Sequence, residues 1–93
     1  MGIIWDEKKR AANIRKHGLD FADARLVYDN PGKVTFSSPR NDETRLVDIA
    51  MVEIAGRVLT LIYVERGNDI RVISFRAASR KEREIYEREK EQD

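Results

Sequence analysis

The chain has 93 residues, 38% of them charged, with 18 Lys and Arg against 17 Asp and Glu, one histidine and no cysteine. Without cysteine there is no disulfide scaffold and no thiolate metal site, and a single histidine rules out a multi-histidine metal cluster. The length predicts one domain, residues 1–93, and a hydrophobic content of 41% is enough for a core. No apolar stretch approaches the roughly 18 residues that span a bilayer. The N-terminus lacks the charged-then-apolar plan of a signal peptide, and Asp6 stands where a myristoylation signal needs Ser or Thr. The expectation is a soluble, cytoplasmic protein with no membrane partner.

Ile3-Ile4-Trp5 reads as a short strand that stops at Asp6, a good helix N-cap. Glu7 to His17 are strong helix formers, and Gly18 after Lys16-His17 is a stop with cations at the negative end of the dipole. Asp20 restarts a helix whose Phe21, Ala24, Val27 and Tyr28 share one face, ended by Asp29-Asn30-Pro31-Gly32. Lys33 to Ser37 then forms a strand, and Ser38 to Asp42 a polar turn or loop. The apolar-rich runs Arg45–Ala55, Arg57–Glu65 and Ile70–Arg76, separated by tight turns, predict antiparallel hairpins joined in order. Val58 to Val64 is apolar at both parities, as expected of a central strand covered on two faces. Ser79-Arg80-Lys81-Glu82 is a capping box that opens a last helix. Beyond Tyr86 that helix has no apolar face, so its end is expected to fray or to wait for a partner. The order predicts an α+β domain: an antiparallel meander with the helices massed on one face.

The near-neutral total hides an uneven distribution of charge. Between residues 66 and 83 six cations, Arg66, Arg71, Arg76, Arg80, Lys81 and Arg83, face only Asp69 and Glu82, and the compensating acid lies in the tail. Five of the six are arginines, whose planar fork suits bidentate phosphate contacts. Strand alternation puts Ser74 and Arg76 on one face, and Arg71 with Ile73 and Phe75 on the other. The same cations also read as solvated charges paired with Glu82, Glu84 and Glu87. His17 is either a general acid or base or, in the last turn before Gly18, a cap for helix carbonyls. Tyr63 is either core or a stacking platform, and Glu65 either accepts a proton or closes an ion pair.

Trp5-Asp6-Glu7 with Lys9, Asn13, Lys16-His17-Gly18, Phe21-Ala22 and Asp29-Asn30-Pro31 resembles the N-terminal half of the BrnT toxins of type II toxin–antitoxin systems. Tyr63-Val64-Glu65-Arg66-Gly67, Ile70-Arg71-Val72-Ile73-Ser74 and Arg76-Ala77-Ala78-Ser79-Arg80-Lys81-Glu82-Arg83 resemble that family's closing strand and helix. The resemblance implies a RelE-like fold and cleavage of RNA that halts translation. It also implies tight binding to a BrnA-type antitoxin, through which operator DNA is contacted, in a hetero-oligomer.

The chain lacks the two histidines of a pancreatic-type nuclease and the carboxylate cluster of a metal-dependent one. A metal-independent route remains, in which the 2′-hydroxyl of RNA attacks the adjacent phosphorus and arginines stabilise the developing charge. No metal and no cofactor are expected. On this resemblance Arg66, Arg76 and Arg80 are the candidate phosphate ligands, and Glu65, Tyr63 and His17 the candidate proton-transfer groups. Arg45, Arg71, Ser74, Lys81 and Arg83 are the candidate supporting RNA contacts. The alternative is a non-enzymatic module that binds nucleic acid or an antitoxin partner through the same arginines, with salt-sensitive binding and no cleavage.

Overall fold

A computed structural model describes residues 1–40 and 42–92. Five strands, β1 (Ile3–Ile4), β2 (Val34–Arg40), β3 (Glu43–Val52), β4 (Arg57–Arg66) and β5 (Asp69–Ala77), form one sheet in the order β1-β5-β4-β3-β2. The predicted meander accounts for β2 to β5, with β4 at the centre. β1 corrects the all-antiparallel expectation: it lies parallel to β5, with Ile3 opposite Ile70, so the sheet is mixed. No hairpin links these two strands, and nothing local fixes their relative direction.

The helices are α1 (Glu7–His17), α2 (Arg25–Tyr28) and α3 (Arg80–Glu91). Caps define them as the sequence predicts. Asp6 accepts the N–H groups of Lys8 and Lys9, Gly18 ends α1 in the left-handed region at φ 73°, and Ser79 and Glu82 form the capping box of α3. The helix predicted from Asp20 is broken into a 3-10 turn, Phe21–Asp23, and the single turn of α2. One further expectation is corrected. Ser38-Pro39-Arg40 continues β2 rather than turning, because on an edge strand proline's missing N–H costs no ladder bond; Asn41 lies outside the described residues. α3 runs past Tyr86 to Glu91, with the Lys90 ammonium 5.5 Å from the Tyr86 ring.

Directly opposed residues of an antiparallel pair share a face, so the register separates the two sides of the sheet. One side carries the rows Thr35–Asp48–Leu61–Phe75 and Ser37–Leu46–Tyr63–Val72, covered by Phe21, Ala24 and Val27. The other carries Phe36–Val47–Ile62–Ser74 and Val34–Ile49–Thr60–Arg76, with Tyr86 and Ala78 packed against it. Helices therefore occupy both faces, which corrects the expectation that all lie on one. The cause is β4 itself: its apolar residues at both parities need cover on two sides, and each large side chain buried there contributes roughly 1.5–3 kcal/mol. Among the described residues, no helix is long and apolar enough to cross a membrane.

Candidate nucleic-acid interface

α1 has no apolar stripe, and Asn13 is its one buried residue. This side chain fixes the helix along the outer edge of β5. Its Nδ2 donates to the Phe75 carbonyl at 2.7 Å and to the Leu19 carbonyl at 2.9 Å, and its Oδ1 accepts the Phe75 N–H at 3.3 Å. The carboxamide thus acts as a peptide group of an absent strand, continuing the edge that β1 covers for two residues. Arg10 adds a tie to Asp20, at 2.7 and 2.8 Å.

With Asn13 turned toward β5, helical spacing brings Lys9, Ala12, Lys16 and His17 to the same side. They form one wall of a groove of about 230 Å³, whose other wall is Ile73 and Ser74. Ile73 is the extra residue of a β-bulge in β5, where the pairing shifts between Ile62 and Tyr63. The bulge also reverses the parity of what precedes it: Arg71, opposite Val64, comes to the same face as Ser74 and Arg76. The expectation that Arg71 lies with Phe75 on the other face is corrected by this one residue.

The groove is cationic. Burial, followed by the charges of Lys16 and Arg76, holds the His17 imidazole below its ordinary value and so favours the neutral base near pH 7. The last carbonyls of α1 are met instead by the backbone, where the Gly18 N–H donates to Ile14 at 2.8 Å. At the start of α1, the Lys9 and Lys8 N–H groups hold the Asp6 carboxyl low, with smaller contributions from the Lys9 and Arg71 charges.

The other predicted site residues are dispersed. Arg76 pairs bidentately with Glu82, at 2.6 and 2.9 Å, and the same carboxylate accepts from Thr60 and from the Ser79 N–H. Burial alone would raise the Glu82 carboxyl, but Arg76, Ser79 and Thr60 bring it down to about 2. Arg66 and Arg45 both pair with Glu43, at 3.4 and 3.3 Å, at the far end of the face that carries Ser74. Arg80 is 87% exposed and 3.6 Å from Glu84; Lys81 is exposed, and Arg83 donates to the Ala78 carbonyl at 2.9 Å.

Tyr63 and Glu65 face away from this surface. Tyr63 is 3% exposed, inside the core beside Tyr28, and burial together with Asp48 raises its phenol far above the ordinary value. Of the two readings the sequence leaves open for this residue, core or stacking platform, the structure places it in the core, away from the groove. Glu65 opposes Ile70, on the opposite side from Arg66. Lys9 and Lys16, by contrast, carry no assigned role in the sequence reading, and their spacing from Asn13 and His17 is the signal that finds them. Among the described residues, no three His, Asp or Glu side chains are grouped to hold a metal.

Fold and groove together define a small α+β protein whose one histidine sits among lysines on the flank of a sheet. A family described as "Ribonuclease toxin, BrnT, of type II toxin-antitoxin system" matches residues 5–82. The chain belongs to this BrnT family. No curated protein matches it.

Proposed function

We propose that the chain is a metal-independent endoribonuclease that cleaves RNA in the groove between α1 and β5, inhibiting translation. The observation that carries this reading is the placing of His17, biased to its neutral form, between Lys16 and the Ser74 wall in a chain of a ribonuclease toxin family. Lys9 and Lys16 hold the phosphates on either side of the scissile bond. His17 accepts the proton of the 2′-hydroxyl as O2′ bonds to phosphorus; the P–O5′ bond breaks, and O5′ takes a proton from solvent. The products are a 2′,3′-cyclic phosphate and a 5′-hydroxyl. Arg71 extends the cationic track, Arg45 and Arg66 lie further along the same face, and Arg80, Lys81 and Arg83 serve as outlying RNA contacts. Arg76 acts from behind, through its field and its hold on α3. A BrnA-type antitoxin neutralises the toxin in a cytoplasmic hetero-oligomer and carries the operator-DNA contact.

Cleavage of a defined RNA in the presence of a chelator tests the reading. His17→Ala is expected to lose roughly a hundredfold or more of the rate with an unchanged melting temperature. The protonated imidazole cannot act as the base, so in the wild type the rate falls as pH drops through a value below the ordinary 6.5 of histidine. Unaltered cleavage by His17→Ala would sink the assignment, and salt-sensitive RNA binding without any cleavage would establish the non-enzymatic alternative.

A further inference from the structure

α3 covers only part of the sheet face on which it packs. Tyr86 lies against the cluster of Val47, Ile49 and Ala78, and Glu82 holds Thr60 and Arg76. Past these rows, toward the β4–β5 turn, the same face carries four arginines. Ser38 pairs with Arg45, Val64 with Arg71 and Arg71 with Ile4; one step further Arg40 pairs with Glu43 and Arg66 with Asp69. Arg45 and Val64 flank the Leu46–Tyr63 pair and so meet side by side on this face. Val64 is buried, yet it belongs to neither apolar cluster of the core. Its cover is the aliphatic stems of Arg45 and Arg71 on either side, which lays their guanidinium planes over the sheet. Among the described residues neither Arg40 nor Arg71 has an ion pair. Arg45 and Arg66 share the one carboxylate of Glu43, at 3.3 and 3.4 Å, longer than the about 2.7–2.9 Å of a strong charge-assisted bond. The other nearby acids are committed, Asp69 to the Gly2 N–H at 2.8 Å and Asp6 to the cap of α1.

We propose that this open half of the face binds single-stranded RNA beyond the scissile bond, with unpaired bases on the guanidinium planes of Arg45 and Arg71 and phosphates at Arg40 and Arg66. The proposal rests on the ribonuclease reading above and names the substrate class of that site. Continuity selects RNA as the polyanion: Arg71 shares its face with Ser74 and joins the four arginines to the groove of His17. The planes select a single strand, because a base offers its face to an arginine only when it is unpaired. In-line attack of O2′ on phosphorus asks for the same freedom, since the backbone must turn to align the reacting atoms. From Arg71 on β5 to Arg45 on β3 is two strand spacings, about 10 Å, so the site takes several nucleotides rather than one.

The test uses the full chain carrying His17→Ala, which holds RNA without cutting it. Fluorescence anisotropy measures its affinity for an unstructured RNA of about ten nucleotides, for the same RNA annealed to its complement, and for a dinucleotide. The single strand is expected to bind roughly tenfold tighter than either of the others. In that background Arg45→Ala is expected to weaken the single strand roughly tenfold. Arg45→Lys, which keeps the charge and a stem over Val64 but not the plane, is expected to weaken it roughly threefold with an unchanged melting temperature. Equal affinity for strand and duplex, or full affinity in both Arg45 variants, would overturn the site and leave cleavage in the groove standing. A glutamate-rich peptide that binds more tightly than the RNA would assign the arginines to an acidic protein segment and overturn the proposal as well. Single-strand binding that depends on Arg45, beside a wild-type chain that cuts no RNA, would remove the cleavage reading and retain the site.

Discussion

The two edges of the sheet solve one problem in opposite ways. At β5 the edge is closed, by two residues of β1 and then by the carboxamide of Asn13, and the helix that supplies this closure leaves a cationic groove on its flank. At β2 the edge is open, seven residues long, and bordered by a mixture of apolar and charged side chains. The closed edge holds charged side chains in a rigid setting and suits chemistry. The open edge leaves backbone groups unpaired beside a groove where Val34, Phe36 and Ile85 lie among Lys33, Glu89 and Lys90. Beyond β1, the closure rests on one polar residue of an otherwise poorly amphipathic helix.

Removing that residue is the strongest way to break the contrast. Asn13→Ala strands both backbone groups of Phe75 and the Leu19 carbonyl, and is expected to cost about 2–3 kcal/mol in urea unfolding, with cleavage falling in parallel as α1 loses its seat. A variant as stable as the wild type would show that α1 is held by something else. Next comes Arg76→Ala, which leaves the Glu82 carboxylate, 14% exposed, without its counterion. The expected loss is about 2 kcal/mol. Because Glu82 caps the helix that also walls the β2 groove, this variant is expected to loosen that side as well, which sharpens the comparison by linking both edges through α3.

Acid separates the edges more gently. Glu82 titrates at about 2 in the folded chain against an ordinary 4.5, so its contribution is complete above pH 4.5 and is lost as pH falls toward 2. The amide of Asn13 does not titrate. Melting temperatures between pH 5 and 2 are expected to fall less steeply for Glu82→Gln than for the wild type; equal slopes would remove Glu82 as the acid-sensitive tie. The smallest effect belongs to Arg80→Ala. At 87% exposure, with a 3.6 Å ion pair, it is expected to leave the melting temperature where it was and to lower RNA affinity slightly at low salt. A large loss of cleavage here would return the reaction to the arginines of α3.

Local rules carried the elements: Asp6, Gly18 and Ser79 with Glu82 mark helix ends, and the apolar residues of β4 at both parities mark the centre of the sheet. The last observation already demanded cover on two faces, yet α3, highly charged and with Tyr86 near its middle, gives little sign of which face it takes. Pro39 reads as a turn until β2 is known to be an edge. The bulge at Ile73 has no glycine to announce it, so alternation placed Arg71 on the wrong side. The site was least visible. Arg76 looks in sequence like a phosphate ligand, and only the fold brings Glu82 to it. Lys9 and Lys16 look like solvated surface, and only the docking of α1 on β5 turns them into the wall of a groove.

The Asn13–Phe75 contact spans 62 residues and the Gly2–Asp69 contact 67. During synthesis, α1 emerges well before β5, the strand that positions it. The nascent chain thus carries His17, Lys9 and Lys16 for most of its synthesis without the groove that brings them together. Non-local closure of this kind is slow to form relative to helix and hairpin. On the proposed function, the groove can therefore act only once β5 has folded against α1.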